Sequence, residues 1–509
     1  METNGKDTFP TCFSLGDGMK PITTFELRMM KLSQEIREKE NWIEKMNNQN
    51  ILEQWKSEAS AQGLTEDQIR YVFEELRYYA SQCSGVITVG AVSRTWQADG
   101  LIEPDVKEAF KKAVYELENV DESEKDYHPW SNKQVVDLVH PSLFCYVEGV
   151  TKIDILDERI EHLEKKKSSD GTPSKTSSED SKEVADKYQW LPAEFSVNTE
   201  GKVSIDSYIN NLNPKKHETL YSLIAQIFEK FIPLFNRTLT DLLNFEDNVI
   251  IQIDVDWYKD DERRCPYSDD EPEYEAWHEN RKIQWPKVPN FKPLERTNGT
   301  VDLKEKTLQV IVKLANIELT PENPKYPGGT WHVEGTENEA IVATGIYYFS
   351  SSNITESRLL FRQAIDTPGY NQDDDYGVKA VYGLKDLDFL NQEIGSILCI
   401  EDRCIVFPNL YQHKVAPFEL TDRTRNGHRK ILVFFLVNPS KRILSTKHVF
   451  PQQQSWFDDE KGEGSLNFTM TLEDARMYRE KLMHSRKYVL YDALEGTNFF
   501  EREFSLCEH

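Results

Sequence analysis

The sequence predicts an α+β protein in which a largely helical N-terminal half precedes an antiparallel β-sandwich or barrel. Three observations lead there. Apolar residues recur at helical spacing from about Thr24 to Glu118 and again from Ile205 to Leu243. From Leu308 onward the pattern changes to short runs rich in Val, Ile, Tyr and Phe, separated by turn-forming clusters. The composition, 38% hydrophobic with ten Trp and 25 Phe in 509 residues, is that of a chain able to bury a sizeable core.

In chain order, Phe25, Leu27, Met30, Leu32 and Ile36 open the first helical stretch. Ile51, Leu52, Trp55, Ile69, Val72, Phe73 and Leu76 continue it, and Asp105 to Leu117 repeats it, so residues 1–120 are expected to form a helical region. Residues 121–300 read as mixed. A charged helix from Asp154 to Lys167 runs into a Ser-, Thr- and Asp-rich stretch, 168–182, that cannot bury apolar surface and is expected to be a disordered insertion. Leu220, Leu223, Ile224, Ile227, Phe228, Phe231 and Ile232 share one helix face. The acidic, Pro-containing segment 256–293 reads as a long solvated loop, with a lid over a site as the functional alternative.

Strands are expected at Leu308–Leu319, Glu339–Phe349, Ser357–Gln363, Ser396–Phe407 and Arg429–Val437. Pro327-Gly-Gly, Ser350-Ser-Ser-Asn and Asp373-Asp-Asp read as turns between them. These strands form a β core over 301–450, and 451–509 is expected to be a helical extension.

A formal charge of −26 repels phosphate backbones and anionic lipid, so nucleic-acid and membrane-surface partners are not expected; the short run Lys165-Lys-Lys167 has no interleaved aromatics. Seven cysteines scattered without paired spacing suit a reducing compartment. With no apolar leader and no run approaching a membrane span, a soluble intracellular protein, cytoplasmic or nuclear, is expected.

The chemistry-bearing residues lie in the β half. Among 11 His and 87 acidic residues, chance alone gives about two His-x-Asp/Glu tripeptides, and the chain has two, His162-Leu-Glu164 and His332-Val-Glu334. On a helix, positions i and i+2 point apart, so His162 and Glu164 cannot share an ion. On a strand they share a face, so His332 and Glu334 can. His413, after the apolar run ending at Pro408, is the candidate third ligand. Two imidazoles and one carboxylate leave open positions on an iron(II) ion; zinc is the competing metal, although the helical His-Glu-x-x-His of many zinc enzymes is missing from the sequence. Each histidine alone reads more simply as a hydrogen-bonded core or loop residue. Arg429 opens an apolar strand sixteen residues after His413. A guanidinium buried there needs an anion, which a dicarboxylate cosubstrate supplies. Arg423 and Arg425 compete for that role, and a surface arginine is the plain alternative. Cys399 and Cys404 have no matching Cys or His pair, and phosphate loops, Gly-x-Ser-x-Gly and Gly-x-Gly-x-x-Gly do not occur.

Over residues 308–440 the order His-x-Glu, a long insert, a Phe-Pro strand end, a distal His and a basic residue opening the last strand resembles Fe(II)/2-oxoglutarate-dependent dioxygenases. Over nearly the whole chain the closer resemblance is to the mostly fungal family known as domain of unknown function 4246. It is carried by Val136-Asp-Leu-Val-His-Pro-Ser-Leu-Phe144, Trp190-Leu-Pro-Ala-Glu-Phe195, Ser207-Tyr-Ile-Asn-Asn211 and Leu308 through Gly335. The resemblance implies a double-stranded β-helix (jelly-roll, cupin-like) core with the helical half packed around it. It also implies iron held by His332, Glu334 and His413, and 2-oxoglutarate held at its distal carboxylate by Arg429. Ascorbate would stimulate such an enzyme.

The sequence departs from that pattern in three ways. Glutamate replaces the commoner aspartate, as in jumonji-type members. Ile431 stands where many relatives carry a serine, so a Tyr or Thr from the Ala343–Phe349 run would have to assist Arg429. The 79-residue spacing from Glu334 to His413 is long, and is attributed to a loop between Asp366 and Glu393 that would border the substrate pocket. The implied activity is oxidation, by default hydroxylation, of a small-molecule or amino-acid substrate. A jumonji-like protein hydroxylase or demethylase acting on peptides, and a non-catalytic binding protein on the same fold, are the alternatives.

Overall fold

The computed structural model describes residues 8–154, 187–247, 249–258, 272–273, 276–277, 280–372, 374–457, 467–489 and 500–506. It is a mixed α+β structure with antiparallel sheets. The α-helices are α1 (Thr24–Arg37), α2 (Trp42–Met46), α3 (Gln49–Ala61), α4 (Glu66–Gln82), α5 (Pro104–Glu118), α6 (Glu218–Leu243), α7 (Asp375–Tyr382) and α8 (Leu472–Val489). Side-chain caps start several of them. Thr23 accepts from the Glu26 amide, and Thr65 forms a reciprocal capping box with Gln68 at the head of α4. Helices α1 to α4 bury one stripe each in a shared cluster that includes Met29, Ile36, Trp42, Trp55, Val72 and Leu76.

The larger sheet runs β1 (Ile87–Val89), β2 (Trp96–Asp99), β13 (Arg403–Pro408), β10 (Ile341–Ser352), β16 (Gly427–Val437), β8 (Lys306–Leu319), β6 (Ala193–Val197) and β7 (Val203–Ile205), with β3 (Val135–Val139) also paired to β8. The smaller sheet runs β12 (Asn391–Leu398), β11 (Arg358–Ala364) and β14 (Gln412–Val415). Two short ribbons remain: β4 (Tyr146–Val147) with β5 (Tyr188–Gln189), and β9 (Lys325–Tyr326) with β15 (Phe418–Glu419).

The central strands are buried on both faces, which explains their continuous apolar runs. One face of β10 and β16 packs on α6: Phe228 and Phe231 meet Phe434 edge to face at 5.1 and 5.3 Å. Gly345, paired with Phe434, is required here, because a Cβ would lie 2.8 Å from the Phe231 ring and 2.9 Å from Phe235. The opposite face looks onto the smaller sheet, where Phe407 of β13 stacks edge-on against Phe361 of β11 at 5.1 Å. All of these side chains belong to one contiguous core.

Four expectations change. The helix anticipated from Ile205 begins only at Glu218, because β7, a left-handed Asn211 and Pro214 occupy the preceding residues. The run Ser396–Phe407 is two strands of different sheets, β12 and β13, separated by a turn with Asp402 at φ +69°. Asp374 is not a simple turn residue: it caps α7 and accepts from Trp257 Nε1 at 2.9 Å. The described parts of 256–293 are largely exposed but anchored at points, since Trp257 is fully buried and Trp285 stacks on Phe25 at 4.8 Å. The aromatic residues that made this segment unusual in sequence are what hold it down. The anticipated helix 154–167, its tripeptide His162-Leu-Glu164 and the insertion 168–182 lie outside the described residues, apart from Asp154 itself.

Burial on α1 leaves one carboxylate with a strongly shifted titration. Glu26 accepts from the Ile250 and Ile251 amides at 2.9 Å each, yet burial pushes its pKa up to about 7. A raised folded-state pKa in a carboxylic acid means a penalty that is absent below the unfolded value and complete above the folded one. Glu26→Gln keeps an acceptor without the charge. It is therefore expected to raise stability at pH 8 by about 1–3 kcal/mol and to change little near pH 4.5, as read by thermal melts at the two pH values.

Candidate functional site

The candidate metal centre is set by backbone pairing. The His332 amide donates to the His413 carbonyl (3.2 Å) and the His413 amide donates back to the His332 carbonyl (2.9 Å), an isolated antiparallel bridge at the edge of the smaller sheet. Directly opposed residues of an antiparallel pair project their side chains to the same side. The two imidazoles accordingly lie 4.4 Å apart between ring centroids. Glu334, two residues along an extended segment, joins them. Its Oε1 is 3.2 Å from His413 Nε2 and 3.7 Å from His332 Nε2, and the three ligand atoms all lie within 4.8 Å of one another. Ligands bound at about 2.1 Å to one ion stand roughly 3–3.5 Å apart, so the spacing suits a single cation.

Neighbouring groups hold the ligands in place. His332 Nδ1 lies 2.9 Å from the Thr330 carbonyl, which fixes the proton on Nδ1 and leaves Nε2 available to a metal. The Asn409 side chain accepts from the Glu334 amide at 3.0 Å and donates to the Glu334 carbonyl at 2.9 Å, clamping that residue's backbone. Phe407 and Phe361 wall in His413 at 4.9 and 6.2 Å between ring centroids. His413 and Glu334 are buried, while His332 exposes 49% of its side chain.

The electrostatics follow from this crowding. Burial would raise the pKa of Glu334, but the two imidazoles outweigh it and hold the carboxyl well below its usual range. For His332 burial acts downward, yet Glu334 prevails and the pKa is raised. For His413 burial and the neighbouring His332 prevail over Glu334 and the pKa is lowered.

Arg429 lies on β16, opposite Ile317 of β8, and is 2% exposed. Its guanidinium sits 4.8 Å over the Tyr348 ring, and Nη2 is 3.8 Å from Cys399 Sγ, whose thiol donates to the Tyr348 hydroxyl at 3.2 Å. Nε has no partner, and among the described residues no carboxylate pairs with this arginine. Arg423 and Arg425, the rivals in sequence, are surface residues paired with Glu419 and Asp422.

A second convergent set, His128, Asp137 and His140, lies on and beside β3, which pairs with β8. His128 Nδ1 is 2.8 Å from Asp137 Oδ2, while the Ser142 amide donates to His140 Nδ1 at 3.2 Å. Arg479 of α8 stands 4.0 Å from Asp137 while pairing with Asp126 at 2.6 Å. Arg486, one helical stretch further, pairs with Glu339 and lies 3.7 Å over the Trp190 ring. The arginines of α8 carry no sequence signal strong enough to mark them, and Asp137 and His140 lie in the family-like stretch Val136–Phe144 without being marked there as a ligand pair.

The fold and this two-histidine, one-carboxylate cluster define an α+β protein with a candidate metal centre at the edge of a small antiparallel sheet. The chain belongs to the family described as protein of unknown function DUF4246, whose model matches residues 66–460, and whose N-terminal domain model matches residues 1–58. No curated protein matches the chain. Solved structures show weak likeness. IDO from Bacillus thuringiensis is 16% identical with a TM-score of 0.16, over 27% of this chain and 48% of that one, so the chain spans about half of that protein. The Fe(II)/α-ketoglutarate-dependent dioxygenase TqaL is 9% identical with a TM-score of 0.19, over 68% of this chain and 95% of that one. The nickel complex of the non-heme monooxygenase ThoJ is 11% identical with a TM-score of 0.17, over 36% and 67%. Among the described residues no helix is long and apolar enough to cross a membrane.

Since every ligand must bind in its deprotonated form, metal loading should weaken on acidification, beginning at a higher pH than for an isolated imidazole because Glu334 favours the imidazolium of His332. His332→Ala, Glu334→Ala and His413→Ala should each lower affinity for Co(II) by about 100-fold or more, measured by titration of the cobalt absorption bands.

Proposed function

We propose that this protein is an Fe(II)/2-oxoglutarate-dependent oxygenase that hydroxylates or otherwise oxidises a small-molecule or amino-acid substrate. The observation that carries this reading is the pairing of the His332/Glu334/His413 cluster with a buried, acid-free Arg429 across one shared core. A zinc hydrolase needs the first but gives no reason for the second. The strand order supports the same reading. The order β13–β10–β16–β8 faces β12–β11–β14, with the His332 segment bridged to β14, as a double-stranded β-helix requires.

In this reading His332, Glu334 and His413 would hold an iron(II) ion. Iron(II) and 2-oxoglutarate, when bound, supply dioxygen activation for oxidising an unreactive C–H bond. The chain contributes orientation and dryness. Arg429 would hold the distal carboxylate, with its guanidinium lying over the Tyr348 ring. Tyr348 is thus the aromatic group from the Ala343–Phe349 run that stands beside the arginine in place of the missing serine. Thr330 keeps His332 in the tautomer that can ligate, and Phe361 and Phe407 exclude water from the His413 side.

Protein supplied with iron(II), ascorbate and 2-oxoglutarate should release succinate slowly without added substrate, and each of the three ligand-to-alanine variants should abolish this. Arg429→Ala should raise the 2-oxoglutarate concentration for half-maximal turnover by about 30-fold or more, on the scale of about 2–3 kcal/mol for a lost charge-assisted pair. An unchanged saturation curve would reject Arg429 as the cosubstrate anchor.

A further inference from the structure

The pairing that builds the metal centre is irregular, and it is gripped from its reverse side. The Gly329 amide donates to the Val415 carbonyl at 2.9 Å, and the next bonded positions are His332 and His413. Three steps along the ligand segment are matched to two along β14, so one residue is extra, as in a β-bulge. Gly328, at φ +96°, permits the approach, because a Cβ there would lie 3.0 Å from the Val415 carbonyl. The register matters because side chains alternate. A regular ladder continued from Gly329 would set Trp331 opposite His413 and turn His332 to the other face. Within the bulge Thr330 turns its carbonyl to His332 Nδ1 at 2.9 Å.

The grip is on Trp331. It precedes His332 in an extended segment and so projects away from the ligands. Arg362 and Lys414 lie on that reverse face too: Arg362 pairs with Gln412 and Lys414 with Leu360, on either side of the Phe361/His413 pair. The Arg362 guanidinium sits 4.8 Å and the Lys414 ammonium 4.4 Å from the centre of the Trp331 ring. The arginine is itself fixed, its Nε donating to Gln412 Oε1 at 2.6 Å and its Nη1 to Asn391 Oδ1 at 3.2 Å. The immediate neighbours of His332 and of His413 are thus tied to each other behind the metal centre. His332 is the least buried of the three ligands, so its position rests on what holds its neighbour.

We propose that Trp331 is the positioning residue of the metal centre: held by Arg362 and Lys414, it selects the bulged register and so presents His332 to the ion before any ion arrives. The inference rests on the metal centre of the proposed function and not on its oxygen chemistry. Slipping to the regular register would break both aromatic contacts and carry the indole to the ligand side. Ion and indole therefore favour the same register from opposite faces of the sheet, and the indole does so in the metal-free protein.

Cobalt(II) is the probe, titrated into the full chain and followed by its absorption bands, with thermal melts of the metal-free protein alongside. Trp331→Ala is expected to weaken cobalt binding by about 10–100-fold, and Trp331→Phe to restore most of the loss. Lys414→Met, at a half-buried position, removes one of the two cations and should cost about 3-fold. The deciding variant combines Trp331→Ala with His332→Ala. If the indole works through His332, its removal costs nothing further once His332 is gone. Should Trp331→Ala fail to fold, the same cycle is run with Lys414→Met. Additive losses in the double variant would overturn the proposal. Wild-type affinity in Trp331→Ala, with the loss in His332→Ala intact, would also overturn it, whatever the melting temperature, and leave the proposed function standing. A His332→Ala variant that binds cobalt as the wild type does would strike the metal centre itself, and the proposed function and the positioning role would fall together.

Discussion

The site depends on one backbone pairing. His332 and His413 exchange both main-chain hydrogen bonds, and this alone puts two imidazoles from distant parts of the chain side by side. Glu334 needs only the two-residue repeat of an extended chain to join them, and Asn409 then locks its backbone from both directions. The smaller sheet therefore acts as the jig for the ligands. The larger sheet, braced on its other face by α6, supplies the wall that carries Arg429.

The arginine on that wall is buried without a carboxylate partner among the described residues. Burial of Arg429 is tolerated through an aromatic face and a thiol, both weak partners compared with a carboxylate. Two other interior arginines do meet carboxylates, Arg403 with Asp99 and Arg479 with Asp126. The contrast is informative because the chain has 87 acidic residues from which a partner could have been drawn. Leaving a buried arginine without one is the kind of local energetic sacrifice that marks binding sites.

Much of this was legible in the sequence, and the reasons differ by element. The two-residue spacing of His332 and Glu334 was interpretable because strand periodicity is strict. The long apolar runs of β8 and β16 announced buried strands for the same reason. The boundary near Ile205 and the division of Ser396–Phe407 were not legible, because helix and strand signals overlap in short apolar runs and one left-handed aspartate decided the break. The role of Asp374 was hidden since its partners, Trp257 and Tyr258, lie more than a hundred residues away. Arg479 and Arg486 looked like ordinary members of a charged helix; only tertiary packing brings them to Asp126 and Glu339.

The bridge between His332 and His413 also has a mechanical meaning. An ion gripped at that point ties Glu334 to a residue 79 positions later, closing a loop that contains β10, β11, β12, β13 and the helix α7. Such a clasp removes freedom from the unfolded chain much as a covalent cross-link does, and the gain grows with the length of the enclosed loop. Occupancy of the centre would then be felt as resistance to proteolysis across that entire stretch, far from any group that touches the ion.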